Sequence, residues 1–277
     1  MTRSSETLRD FSRLSLNTKT VESWSVAEAV NGCASHGIPH IALWRDRVAE
    51  TGLEQSARLV RDAGLKVSSL CRGGFFPATT PRERKARIDD NRLAVEEAAA
   101  LGAEVLILVC GPAPDRDLTG ARAMVADGVA AIAPFAADRG VRLGIEPLHP
   151  MFAGERSVIV TLAEALNLAA RFPSEQVGVV VDAYHVWWDP DLYRQIARAG
   201  DRIAGFHVND WLVPLPDPLM GRGMMGDGVI ELRKLRTAVE LAGYSGPIEV
   251  EIFNRALWGM PGDEVLELMK RRYLECV

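Results

Sequence analysis

Val177–Pro190 reads VGVVVDAYHVWWDP. Its first five residues are apolar and mostly β-branched, the composition of a short strand buried on both faces. The run stops at a carboxylate, Asp182. Tyr184, His185, Trp187 and Trp188 follow, and Asp189-Pro190 marks a helix start. A strand that is dry on both faces belongs to a parallel sheet covered by helices. The polar residues at its C-terminal end either cap the next helix or form the floor of a site. From this segment alone both readings stay open.

The same pattern recurs along the chain. Short apolar runs lie at about 11–16, 39–44, 66–71, 103–110, 141–147, 203–208 and 247–253. Helical patterns follow them. SVAEAVNGCASHG opens on the capping box Ser25-x-x-Glu28 and stops at Gly37. A long helix starts at Thr80-Pro81 and ends before Gly102, and another opens on Thr161-x-x-Glu164. The last helical stretch, GDEVLELMKRR, runs from acidic to basic, as the helix dipole favours. Eight strand–helix units imply an α/β chain folded as a single (β/α)8 TIM barrel spanning residues 1–277. An open doubly wound sheet would carry Gly-x-Gly-x-x-Gly after its first strand. The glycine-rich GRGMMGDG at 221–228 comes late instead, and no linker divides the chain.

Composition narrows the function. A formal net charge of −5, with no basic stripe, argues against nucleic acid as a partner. No stretch reads as a membrane span, and MTRSSETLRDF has no apolar signal core. The four cysteines (33, 71, 110, 276) form no Cys-x-x-Cys pair and read as free thiols of a reducing, cytoplasmic compartment.

In such a barrel, chemistry sits at the C-terminal ends of strands. Glu146, Asp182, His207 and Glu251 fall at or near the ends of strands five to eight, so four successive strands send a potential ligand to one rim. His149 and His185 lie just beyond strands five and six, whereas His36 and His40 flank the start of strand two, on the other rim. Each residue has an ordinary alternative: Asp182 as a helix cap, His207 as a core imidazole. Convergence favours one divalent ion of borderline hardness, Mn, Co, Zn or Mg, which also relieves the repulsion among three carboxylates. Glu249 shares a face with Glu251 and is expected deeper, paired with an arginine. Asn209 and Asp210 are expected to orient an imidazole from behind. Trp44, Trp187, Trp188, Trp211 and Trp258 follow strand ends, and two of them are expected to wall a sugar pocket. CRGGFFP (71–77) reads as a mobile loop hinged at Gly73 and Gly74. GRGMMGDG reads as either a phosphate cradle or a turn.

The segments GIEP (144–147), VDAYH (181–185), GFHVND (205–210), GDGVIEL (226–232) and GPIEVEIF (246–253) resemble the xylose isomerase-like TIM-barrel superfamily, in its sugar phosphate isomerase/epimerase branch with inosose isomerases and ketose 3-epimerases. The resemblance implies that Glu146, Asp182, His207 and Glu251 bind one metal ion. It also implies that Glu146 and Glu251 move the proton, and that His185 and Arg222 contact the substrate. Trinuclear endonuclease IV resembles the same barrel, but its pattern needs histidines that strands two to four lack here. The implied activity is isomerisation or epimerisation of a carbohydrate through a cis-enediolate. The alternatives are a lyase (a deglycosidase with a small partner subunit, using His149 as base, or a dehydratase) and a non-catalytic sugar-binding barrel. A homodimer is the default assembly.

Overall fold

The computed structural model describes residues 10–277; the segment read for a targeting signal falls largely at 1–9, outside them. Eight parallel strands close into a barrel: β1 (Leu14–Asn17), β2 (His40–Trp44), β3 (Lys66–Gly74), β4 (Val105–Val109), β5 (Arg142–Glu146), β6 (Val177–Asp182), β7 (Ile203–Val208) and β8 (Ile248–Val250). Leu14 to Leu16 pair with Ile248 to Val250 and close the ring. Every residue of β4 and β6 is buried, because one face fills the barrel and the other meets helices.

Helix starts follow the local chemistry read from the sequence. Val26–His36, Pro81–Leu101 and Leu162–Ala169 each begin with a complete capping box, on Ser25, Thr80 and Thr161. Gly37 and Gly102 end the first two in the left-handed conformation. Leu118–Ala137 is long and apolar enough to cross a membrane by length and composition, contrary to the reading of the bare sequence. Here Ala121, Val125, Val129, Ile132 and Ala136 are buried and join the main core instead.

The stretch after Cys71 corrects the expected hinge. Gly73 and Gly74 are the last residues of β3 and pair with Leu108 and Val109. The Asn91 side chain clamps Gly74 from both sides: Oδ1 accepts from its N–H at 2.6 Å and Nδ2 donates to its carbonyl at 2.8 Å. Gly74 sits at φ +97°, where a Cβ would strike the Val109 carbonyl. The glycine pair therefore permits close strand contact, which a hydrophobicity pattern cannot distinguish from a loop.

Candidate metal centre

Four side chains meet at the C-terminal rim. Glu146 ends β5, Asp182 ends β6, His207 is next to last in β7 and Glu251 is the first residue past β8. All four are buried, and one ligating atom from each lies within 4.8 Å of the others. His207 turns Nδ1 toward the carboxylates, 3.2 Å from Glu146 Oε1, 3.9 Å from Asp182 Oδ2 and 4.0 Å from Glu251 Oε2. Ligands held at about 2.1 Å from one ion stand up to about 4.2 Å apart, so these separations need only slight closure. Glu146 Oε1 and His207 Nδ1 are fully buried yet have no aligned hydrogen-bond partner. Buried polar atoms rarely go unpaired, and a cation between these two satisfies both.

The groups behind the cluster fix its geometry. Glu249 Oε1 lies 3.5 Å from His207 Nε2, so the imidazole can keep its proton on Nε2 and leave Nδ1 free for a ligand bond. Glu249 is therefore the outer partner of His207, and among the described residues no arginine pairs with it. Its other contacts are Asn17 Nδ2 at 2.7 Å, Ser68 Oγ at 3.0 Å and Ser69 Oγ at 2.9 Å. Asn209 supports Asp182 rather than an imidazole, donating to Oδ1 at 3.0 Å. Asp210 orients no imidazole either. Its carboxylate accepts from the N–H groups of Gly226, Gly228 and Ile230. That bonding also excludes the phosphate-cradle reading of 221–228, since an acid already occupies the Gly226 and Gly228 donors.

Electrostatics matches a cation site. Burial alone would push the His207 imidazole down, but the facing carboxylates of Glu249, Glu146 and Glu251 outweigh it and lift it to about 10. Burial, then the neighbouring Glu146 and Asp182 charges, raises Glu251 to about 8 against the pull of Arg222 and His207. Both groups thus hold protons at pH 7 in the ion-free chain. An ion that takes Nδ1 and the Glu251 carboxylate must displace them. We expect metal binding at pH 7 to release between about one and two protons, with affinity rising as pH rises toward 10. Calorimetry in two buffers of different ionisation enthalpy measures the release; none at pH 7 would contradict this charge arrangement.

Arg222 stands beside the cluster. Its Nη1 lies 2.8 Å from Glu251 Oε2 and 3.2 Å from Asp182 Oδ2, and its Nη2 lies 3.2 Å from His185 Nε2. The guanidinium is sandwiched by the Tyr184 and Phe253 rings, at 4.8 and 4.7 Å. Its backbone is held in a two-rung antiparallel ladder of Asp210–Trp211 with Arg222–Gly223. His185 is buried, and burial pushes its imidazole down to about 3, so the ring is neutral. Its Nδ1 faces the His149 backbone N–H at 3.1 Å. An amide N–H can only donate, so the ring proton belongs on Nε2. Nε2–H and the Arg222 Nη2–H are then two donors 3.2 Å apart that cannot bond each other, an arrangement suited to a substrate oxygen that accepts from both.

The remaining sequence candidates divide. Trp44 lines the cavity with Cys71, Glu146, Leu148, Phe152 and Arg156. Trp187, Trp188 and Trp211, also expected as pocket wall, are not among its lining residues. Trp211 packs on Tyr184, Trp187 and His149, with ring centres 4.8, 5.4 and 4.9 Å away, and Trp188 Nε1 donates to the His185 carbonyl. Trp258 lies behind Phe253. His149 is also outside the cavity lining. Its ring packs between Trp188 and Trp211, and its backbone positions His185, so the structure gives no basis for the catalytic role it was assigned. Sequence reasoning missed Asn17, whose Nδ2 reaches both Glu249 and Glu251 and whose Oδ1 accepts from Trp44 Nε1 at 2.9 Å. Its position at the end of β1 was the available signal.

Comparison with known proteins agrees with this fold. A structure of protein SMc04130 from Sinorhizobium meliloti 1021 matches with a TM-score of 0.94 and 50% identity, over 96% of this chain and 99% of that one. The IolI protein, solved with a binding zinc atom, shares the fold at a TM-score of 0.83 and 18% identity, over 95% and 97% of the two chains. A 3-dehydroshikimate dehydratase of Pseudomonas aeruginosa is 30% identical over 186 residues, 64% of this chain. The match spans only 28% of that relative's length. The family model for the xylose isomerase-like TIM barrel matches residues 30–272, and the chain belongs to that family.

Proposed function

We propose that this chain is a divalent-metal-dependent enzyme that moves a proton at the carbon beside a carbonyl of a small polyhydroxylated ketone, isomerising or epimerising it through an enediolate. The observation that carries this reading is the meeting of two buried glutamates, a neutral imidazole and a guanidinium around one cation-shaped cluster. Glu146, Asp182, His207 and Glu251 would hold the ion, and the zinc of the IolI structure supports a first-row metal or Mg. When bound, the ion supplies Lewis-acid polarisation of the ketone and makes the neighbouring C–H more acidic.

The chain's own groups supply the rest. Glu146 and Glu251 come from β5 and the end of β8, on well-separated strands, so one removes the proton and the other returns it. Return to the opposite face of the same carbon gives epimerisation; return to the adjacent carbon gives isomerisation. His185 Nε2–H and the Arg222 guanidinium donate to the oxygen on which negative charge develops. Trp44, Leu148, Phe152 and Phe253 provide apolar walls that exclude water from the anion. The free state of all four cysteines supports a reducing, cytoplasmic setting. A homodimer remains part of the proposal.

A second reading is favoured by the dehydratase relatives. The same proton removal followed by loss of a β-hydroxyl as water would make the enzyme a dehydratase. The deglycosidase alternative, with its small partner subunit, loses its main support because His149 lies outside the cavity lining. Incubation with inososes and ketoses in deuterated water, at saturating metal, separates the readings. We expect deuterium on the carbon beside the carbonyl with no fragment lost. Stoichiometric loss of water would establish the dehydratase. Failure of exchange and loss with every ketone would overturn catalysis and leave a sugar-binding barrel.

A further inference from the structure

Arg156 is a cation of the cavity that the proposed chemistry does not use. It lines the same cavity as Glu146, Glu251, His185 and Arg222. Among the described residues its guanidinium has no hydrogen-bond or ion-pair partner, whereas Arg222 is ion-paired through Nη1 with Asp182 and Glu251. Its position is nonetheless fixed. The Arg156 N–H donates to the Phe152 carbonyl at 2.9 Å, and its own carbonyl accepts from Gly111 N–H at 2.8 Å. Gly111, at φ +97°, is pressed against Phe75 and Pro77, so the loops after β3, β4 and β5 are clasped together at this point. Arg72, from β3, sits beside this clasp with its guanidinium 3.9 Å from the Phe75 ring centre, and it too lacks an ion-pair partner among the described residues. Burial is the main cause that pushes both guanidinium pKa values down, aided by the positive charges of Arg222 on Arg156 and of Arg156 on Arg72, and it outweighs the more distant carboxylates of Glu155 and Glu251 facing Arg156 and of Asp90 facing Arg72.

A half-buried guanidinium with no direct hydrogen-bond or ion-pair partner is a cost unless something binds it. We propose that Arg156 is an anion subsite and that the substrate carries a carboxylate, making it a polyhydroxylated keto acid rather than a neutral keto-sugar. A single planar guanidinium fork matches a carboxylate. A phosphate ester would call for further donors, and the backbone N–H groups of the glycine-rich stretch at Gly226 and Gly228 are already bonded to Asp210. This inference rests on the proposed site in placing the reacting carbonyl beside the ion cluster, and Arg156 then reads the far end of the molecule.

Binding to the full-length, Mn²⁺-loaded protein tests it without requiring turnover. Calorimetry is performed with quinate, a polyhydroxylated ring carboxylate, with myo-inositol, its neutral counterpart, and with inositol 1-phosphate. We expect quinate to bind most tightly. Arg156→Gln should weaken quinate roughly ten- to hundredfold, the scale of a charged hydrogen-bonded pair, and leave myo-inositol and Mn²⁺ affinity unchanged. Arg156→Lys should restore part of the loss, which also guards against a folding artefact. Equal weakening of quinate and myo-inositol, no weakening of either, tighter binding of inositol 1-phosphate, or no binding of quinate at millimolar concentration would each overturn the subsite. Failure here remains distinct from failure of the proton-transfer reading. Deuterium exchange on neutral ketones alone sinks the subsite and keeps that reading; Arg156-dependent quinate binding without exchange on any ketone does the reverse.

Discussion

Glu146→Gln is expected to lower turnover by about 10³-fold or more and to weaken metal binding at the same time. Two losses combine. The amide cannot take a proton, and loss of a positioned general base costs about 10²–10⁴ in rate. The same change replaces an anionic ligand with a neutral one. Altering a group behind a metal ligand already costs about 10- to 100-fold in affinity, so altering a ligand should cost at least as much. Glu146 is suited to both tasks because burial, opposed by His207 and Arg222, holds its carboxyl above the usual range. Its Oε1 is buried and unpaired, aimed at the cluster. Metal affinity by calorimetry and single-turnover rates at saturating metal separate the two effects. Wild-type turnover in the variant would remove Glu146 from the mechanism.

His185→Ala is expected to lower the rate about 10²–10³-fold, the scale of one lost oxyanion donor, while metal affinity stays nearly constant. The imidazole stands beside the cluster: Nε2 is 3.9 Å from Asp182 Oδ2, and Nδ1 is occupied by the His149 N–H. Because burial holds its pKa near 3, the ring stays neutral from pH 5 to 9. The wild-type rate should therefore show no histidine inflection near pH 6.5. The sign follows from the depressed value: only near pH 3 does the ring gain a second proton, on Nδ1, which ends its acceptance from the His149 N–H while Nε2–H stays a donor. Metal loss in the alanine variant would make His185 a ligand and change its role.

The fold was legible because strands buried on both faces have little compositional freedom. VGVVVD and VLILV read as strands without any partner in view, and the capping boxes at Ser25, Thr80 and Thr161 marked helix starts to the residue. The four clustered positions were legible for a related reason: a charged residue ending such a strand stands out. What failed depended on direction rather than position. His149 follows a strand end as His185 does, but its ring turns away into Trp188 and Trp211. The amides of Gly226 and Gly228 looked free because nothing in the sequence shows Asp210 folding back onto them. Gly73 and Gly74 read as a hinge because the strand contact that needs them comes from Val109. Arg156 carries no motif; only the clasp at Gly111 brings it to the cavity.

Anomalous diffraction from crystals grown with Mn²⁺ tests the central claim most directly. We expect one peak, about 2.0–2.3 Å from His207 Nδ1 and from an oxygen of each of Glu146, Asp182 and Glu251, with Glu249 held back on His207 Nε2. A peak coordinated by Glu249 in place of Glu251, or no peak among these four residues at saturating Mn²⁺, would contradict it.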